Sequence, residues 1–159
     1  MNKNVWVAIL VALLMVLAVE EVIGEQADPF AAQKESAIAA VQAANPGAVI
    51  DYAVRERDDG RYEWNVFFSQ DGVLGEAKVL EEGFEVRRVE LFSQSREDSL
   101  TASAAMEKLA LEKGEMTIVD LDLDWDDGAL RYEGEAEMNG KRYEFEMNAD
   151  GRIIEWERD

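Results

Sequence analysis

The clearest hydrophobic pattern of the chain lies near its C-terminus, where apolar and charged residues alternate in two stretches on either side of Asn139-Gly140. Alternation with a period of two is typical of a strand. Asn-Gly is typical of a two-residue hairpin turn, because both turn residues must adopt a positive φ. The turn fixes the register and places Gly134 opposite Phe145. The pattern therefore predicts an antiparallel hairpin with one apolar face and one acidic face.

The acidic side of this hairpin extends onto the preceding stretch from Ile118 to Trp125, where aspartates alternate with apolar residues. The predicted acidic face comprises Asp120, Asp122, Asp124, Glu133, Glu135, Glu144 and Glu146. A calcium loop starting at Asp122 would have glycine at its seventh position instead of its sixth, and a strand where a helix is required. We therefore predict a solvated face with no metal site, while weak, non-selective cation binding stays compatible with it.

The same pattern occurs earlier in the chain. Asp58-Asp59-Gly60 followed by Tyr62-Glu63 recurs as Asp126-Asp127-Gly128 followed by Tyr132-Glu133, nearly seventy residues later. Such an internal duplication indicates one folding unit that is used twice.

Each copy begins with a segment whose apolar residues recur at helical spacing, capped by Asp28 in the first copy and by Thr101 in the second. The predicted fold is α+β, with two repeats of one helix packed on a four-stranded antiparallel sheet. The repeats span residues 28–92 and 100–159, and the polar residues 93–99 form a linker. The aromatic residues expected to be buried under the second helix are Trp125, Tyr132, Tyr143, Phe145 and Trp156.

An N-terminal hydrophobic helix is predicted ahead of the repeats, within residues 1–24. Val5 to Val19 is an unbroken apolar run of fifteen residues, which suits a secretory signal peptide better than a membrane-spanning helix of about 20 residues. Val22 and Gly24 provide small residues before a possible cleavage point. A cleaved signal peptide and an uncleaved membrane anchor both remain open, and both predict that the repeats are exported, to the periplasm, the cell exterior or the outer side of the membrane.

Composition excludes several functional classes. The net charge of −19 argues against binding to nucleic acid or to anionic lipid, so contact with a membrane is expected only through residues 1–24 if they are retained. The chain has no cysteine and no histidine, which removes thiol and imidazole catalysis and the usual zinc and haem ligands. The carboxylates are expected on an open, wet sheet, where nothing would raise the pKa of a chosen acid. We predict no cofactor, no catalytic residue and no enzymatic activity.

The order of these motifs resembles the PepSY domain. The second copy carries the resemblance through Ala105, Leu109, Gly114, Tyr132-Glu133, Asn139-Gly140, Tyr143-Glu-Phe145 and Asp150-Gly-Arg-Ile-Ile154. The first copy carries it through Ala37, Asn45-Pro-Gly47, Asp59-Gly60, Tyr62-Glu-Trp64 and Asp71-Gly-Val-Leu74. The resemblance implies a helix across an antiparallel sheet in an exported protein. PepSY domains also occur in propeptides of thermolysin-type metallopeptidases, where an inhibitory role is inferred. Tandem copies are similar in layout to the secreted β-lactamase inhibitor protein.

These observations predict a non-catalytic exported module that binds another protein, with peptidase inhibition or regulation implied by the PepSY resemblance. The alternative is an acidic, cation-associated envelope protein with a structural or assembly role in a membrane complex. The predicted partner-binding surface is the outward face of the first sheet, where an apolar anchor is surrounded by basic residues. Its residues are Arg55, Arg57, Phe67, Lys78 and Arg88.

Overall fold

The computed structural model describes residues 28–95 and 98–159, so the predicted signal or anchor helix lies outside the described residues. The first repeat contains α1 (Ala31–Ala44), β1 (Val49–Asp58), β2 (Arg61–Gln70), β3 (Val73–Leu80) and β4 (Val86–Phe92). The second contains α2 (Ala102–Lys113), β5 (Thr117–Asp126), β6 (Ala129–Met138), β7 (Lys141–Asn148) and β8 (Ile153–Arg158). Within the described ranges, no helix is both long enough and apolar enough to cross a membrane.

The strands form two four-stranded antiparallel sheets, in the orders β1-β2-β3-β4 and β5-β6-β7-β8. Tight turns join the strands, and their residues have the positive φ angles that the sequence predicts. Asp59 and Gly60 have φ values of 46° and 82°, and Asn139 and Gly140 have values of 53° and 68°. The predicted α+β architecture of two helix–sheet repeats is therefore confirmed for the described residues.

The register of the second sheet is also the predicted one. Gly134 lies opposite Phe145, and Glu133 lies opposite Glu146. The register of β5 against β6 shifts between Ile118 and Asp120, next to the pairing of Leu121 with Gly134. A side chain at position 134 would place its Cβ 2.2 Å from the carbonyl oxygen of Asp120, so only glycine fits there.

Helix α2 covers one face of the second sheet. The Thr101 side chain accepts a hydrogen bond from the Ala104 N–H and so caps the helix, as predicted. The core between helix and sheet includes Ala105, Met106, Leu109, Leu121, Leu123, Leu130, Tyr132, Ala136, Phe145 and Met147.

The five aromatic residues expected under α2 differ in their burial. Tyr132 and Phe145 are buried, as expected. Tyr143 and Trp156 are partly buried and stack on each other with ring centroids 4.8 Å apart. Trp125 is 42% exposed, so the prediction that it is buried is wrong. It precedes the exposed hairpin turn, beyond the buried part of β5.

Helix α1 covers the corresponding face of the first sheet, where Ala37 and Val41 of the helix are fully buried. The sheet contributes Ala53, Trp64, Val66, Phe68, Ala77 and Val79 to this core. Gly75 provides the space for the Phe68 ring, because a Cβ at Gly75 would lie 2.6 Å from a ring carbon.

The opposite face of the first sheet is covered as well, by the second repeat. Phe67 is only 2% exposed, and its ring centroid lies 6.4 Å from those of Tyr52 and Tyr132. Val54, Leu74 and Phe92 of this face join the core under α2. The prediction that Phe67 is exposed on an open face is therefore wrong. The sequence periodicity of β2 does not show that a second repeat packs on this face.

Two polar side chains of the first sheet form hydrogen bonds with the edge strand of the second sheet. The Asn65 Nδ2 donates to the carbonyl oxygen of Leu121 at 2.6 Å, and a carboxylate oxygen of Glu76 accepts from the N–H of Leu123 at 2.8 Å. Leu121 and Leu123 belong to β5, the edge strand, whose outward backbone groups have no neighbouring strand to pair with. Asn65 and Glu76 therefore satisfy backbone groups that a further strand would otherwise satisfy.

The core under α2 predicts different costs for two neighbouring substitutions in β7. Phe145→Ala should lower the free energy of unfolding by about 3–5 kcal/mol, because it removes a buried ring. Glu144→Ala should lower it by less than about 0.5 kcal/mol, because the Glu144 side chain is exposed. Urea denaturation of both variants measures the difference, and similar costs would show that this register is wrong.

The buried position of Glu76 predicts a pH-dependent stability. Burial raises the pKa of Glu76 to about 7, so the folded protein retains a proton that the unfolded chain releases near pH 4.5. The contribution of Glu76 to stability is therefore largest below pH 4.5 and declines as the pH rises towards 7. Glu76→Gln keeps a carbonyl acceptor for Leu123 and does not titrate.

The Glu76→Gln variant should therefore gain stability relative to the wild type between pH 5 and pH 8, by on the order of 2–3 kcal/mol. Denaturant unfolding at several pH values measures this gain. Parallel stability curves for the two proteins would contradict a buried, titrating Glu76.

Candidate functional site

The residues predicted to bind a partner do not share one face. Register pairs Arg55 with Trp64 and Arg57 with Tyr62, which places both arginines on the α1 side of the first sheet. Phe67 lies on the opposite side. The two-residue turn at Asp59-Gly60 fixes this arrangement, because it sets which residues of β1 and β2 lie opposite each other. The predicted single surface is therefore wrong, and the binding role of each residue stays a prediction.

Tyr62, rather than Phe67, is the aromatic residue that the two arginines surround. The Arg55 guanidinium carbon lies 3.6 Å from the centroid of the Tyr62 ring, and that of Arg57 lies 5.8 Å away. Arg55 also donates two hydrogen bonds to the Glu81 carboxylate. Tyr62 is 45% exposed. The pairing of Arg57 with Tyr62 across the Asp-Gly turn is the sequence signal that could have identified this cluster.

Lys78 and Arg88 lie on the same face as Phe67 and pair with each other across β3 and β4. Lys78 Nζ lies 3.1 Å from a Glu56 oxygen and 2.8 Å from an Asp122 oxygen, so it connects the two repeats. Arg88 is exposed and forms an ion pair with Glu90. Lys78 is therefore engaged within the molecule, while Arg88 remains at its surface.

Three carboxylates meet where Lys78 joins the repeats. One oxygen from each of Glu56, Asp120 and Asp122 lies within 4.8 Å of the others. Burial raises the pKa of Glu56 to about 8, and the neighbouring Asp120 carboxyl adds to the rise. Burial alone lowers the pKa of Lys78, but the hydrogen bond to Asp122 and the charge of Glu56 outweigh it and raise that pKa. We call Glu56, Asp120 and Asp122 the junction cluster.

The second sheet carries a face of aligned carboxylates on the side away from α2. Asp120, Asp122 and Asp124 lie on it in β5, followed by Glu133 and Glu135 in β6 and Glu144 and Glu146 in β7. The structure thus brings the seven sequence-predicted acidic residues together. It adds Glu155 and Glu157 of β8, which pair with Glu146 and Glu144. We call these nine residues the acidic face.

Two arginines partly neutralise the acidic face. Arg131 forms ion pairs with Asp126 and Glu146, and Arg142 lies 2.9 Å from Glu135. Burial raises the pKa of Glu133, and the neighbouring charge of Glu146 raises it further. A shallow groove of about 260 Å³ runs over this face, with Gly134 and Phe145 in its floor between the carboxylates. The arrangement suits electrostatic attraction of several cationic groups at once.

Comparison with known proteins places one family match on the first repeat. Residues 33–79 match the family model described as "Peptidase propeptide and YPEB domain", abbreviated PepSY. This range runs from α1 to β3. No curated protein matches the chain significantly.

Several solved structures are similar to the chain. A proposed lipoprotein from Clostridium difficile 630 has 18% identity and a TM-score of 0.43, over 77% of this chain and 90% of that one. A DUF2874 family protein from Bacteroides uniformis has 13% identity and a TM-score of 0.32, over 77% and 87%. A BLIP-like protein from Bacteroides fragilis has 12% identity and a TM-score of 0.31, over 78% and 84%.

The family match and the repeated architecture agree. The match covers a helix and three strands of the first repeat, and the second repeat has the same order of one helix and four strands. The chain is therefore a PepSY-like protein with two helix–sheet repeats.

Proposed function

We propose that this chain is a non-catalytic, exported protein-binding module that regulates or inhibits a peptidase, and that its partner docks on the acidic face of the second sheet. The peptidase role is suggested by the description of the matched family as a peptidase propeptide domain. Export is suggested by the apolar run from Val5 to Val19, which is typical of a signal peptide or a membrane anchor.

This proposal rests on a difference in burial, because the two sheets do not bury the same number of faces. The first sheet buries residues on both of its faces, such as Trp64 on one side and Phe67 on the other. The second sheet buries its α2 side, whereas Asp124, Glu144, Glu155 and Glu157 on its other side are exposed. A broad sheet face is thus available for docking only where the carboxylates are concentrated, among the described residues.

The charge of this face specifies the chemistry of the partner. Carboxylates in register on four strands attract a protein surface rich in lysine and arginine, and such complementarity speeds association as well as selecting the partner. Arginine in the partner would form forked hydrogen bonds with paired carboxylates such as Glu135 and Glu144. The groove is shallow and open, which suits a protein surface better than an enclosed small molecule.

Reversing charges on the acidic face should abolish partner binding. The test variant is Glu135→Lys, Glu144→Lys and Glu146→Lys together, used to capture proteins from the exported fraction of the source cells. We expect the wild-type chain to retain a defined partner and the variant to lose it, because the variant repels a basic surface. Carbodiimide cross-linking, which joins carboxylates to lysines, should map the contact to β7 by mass spectrometry.

A matched control replaces three basic residues of the first repeat, Arg55, Arg57 and Arg88, with alanine. This control should retain the partner, and circular dichroism should show that both variants are folded. Loss of the partner in the control but not in the charge-reversed variant would place the docking surface on the first repeat. Inhibition of the captured partner's peptidase activity by the wild-type chain tests the proposed role.

The acidic face also predicts a rise in thermal stability with salt. Glu133 lies opposite Glu146, and Glu135 lies opposite Glu144, so like charges repel across the sheet. Adding NaCl shortens the Debye length from about 10 Å at 0.1 M to about 3 Å at 1 M and weakens this repulsion. The melting temperature measured by calorimetry should therefore rise over this range. A flat or falling melting temperature would contradict the repulsion.

A further inference from the structure

The junction cluster occupies a cavity between the two repeats. Glu56 comes from β1 of the first repeat, whereas Asp120 and Asp122 come from β5 of the second. The cavity has a volume of about 280 Å³, which is large enough for an ion with several water molecules. Five carboxylates and three basic side chains line it, so the negative charges exceed the positive ones.

Glu56 provides a second observation that is independent of the clustering. Its side chain is only 6% exposed, and one of its oxygens, Oε1, accepts a hydrogen bond from Lys78. The other oxygen, Oε2, is buried and has no hydrogen-bond partner within residues 28–95 and 98–159. A buried carboxylate oxygen without a partner is costly, so such an atom in a native fold points to an additional ligand.

Lys78 neutralises only part of the cluster. Its ammonium contacts Glu56 and Asp122, which leaves Asp120 and Glu56 Oε2 without a bond to it. Cation binding would displace the proton that Glu56 holds, and the three ionised carboxylates with one ammonium would then carry two negative charges, which a single divalent cation balances.

We propose that the junction cluster is a binding site for Ca²⁺, held by Glu56, Asp120 and Asp122, which joins the two repeats. The available ligands are all carboxylate oxygens, which favour hard cations over zinc or copper. Ca²⁺ accepts irregular oxygen geometry and water as further ligands, whereas Mg²⁺ requires a near-ideal octahedron. Because the ligands come from both repeats, the bound ion stabilises the packing of one repeat on the other.

Calcium titration of the full-length chain tests the site. Isothermal titration calorimetry with CaCl₂ at pH 7.5 should show saturable binding with one ion per chain, and the melting temperature should rise with the Ca²⁺ concentration. Glu56→Gln removes one ligand charge and keeps the shape and the acceptor for Lys78. It should weaken Ca²⁺ binding by roughly tenfold or more, which corresponds to at least ~1.4 kcal/mol. Lys78→Met removes the competing ammonium and should strengthen Ca²⁺ binding.

Two controls keep the test decisive. Glu144→Gln makes the same change of charge on the acidic face, outside this cavity, and should leave the Ca²⁺ affinity unchanged. Asp120→Asn replaces Glu56→Gln if the latter fails to fold. The proposal is overturned if the wild-type chain shows no saturable Ca²⁺ binding, or if Glu144→Gln and Glu56→Gln weaken it equally. It is also overturned if Lys78→Met weakens Ca²⁺ binding in a folded protein.

Discussion

The hydrogen bonds that join Asn65 and Glu76 to the edge strand β5 determine how the two repeats are combined. Without them, the outward carbonyl of Leu121 and N–H of Leu123 would be buried against an apolar face with nothing to pair with, at a cost of about 1–3 kcal/mol each. With them, the edge of one sheet can rest on the face of another. The packing buries Phe67 and Tyr132 together, so residues 32–159 form a single compact unit.

This packing makes two similar repeats unequal. The first sheet has a helix on one face and the second repeat on the other, so its strand β2 is buried from Glu63 to Phe68. The second sheet keeps one face in solvent, and carboxylates in register fill that face. The two repeats therefore have different roles. The first repeat supports the second, and the second carries the proposed binding surface. The junction cluster lies where the two roles meet, since Asp120 and Asp122 belong both to the acidic face and to the contact with Glu56.

Local chemistry in the sequence predicts much of the fold. Asn139-Gly140 and Asp59-Gly60 require positive φ and so set the hairpins and their registers, and alternation assigns the acidic face of the second sheet. Packing between the repeats is not encoded locally. Phe67 alternates like a surface residue of the first sheet, and its burial depends on Tyr132, far away in the chain.

Two signals, one in β2 and one in the turn before it, were nevertheless present in the sequence. Asn65, a polar residue among aromatic and β-branched ones, indicates a buried hydrogen-bonding position. The Asp59-Gly60 turn already assigns Arg57 to the face of Tyr62 and not to that of Phe67. The junction cluster has no comparable signal, because Glu56 and Asp122 become neighbours only when the repeats pack and no spacing along the chain relates them.

The exchange rate of one backbone amide, that of Leu123, tests this account most directly. The amide hydrogen of an outward N–H on a free edge strand exchanges with solvent through local fluctuations, and therefore quickly. The hydrogen of an N–H that is bonded to a buried carboxylate exchanges only when the fold opens. Hydrogen exchange measured by NMR should therefore find the Leu123 amide as strongly protected as the central amides of β6. Exchange as fast as that of Gly140 in the exposed hairpin turn would show that β5 is a free edge and that the repeats are not joined by Glu76.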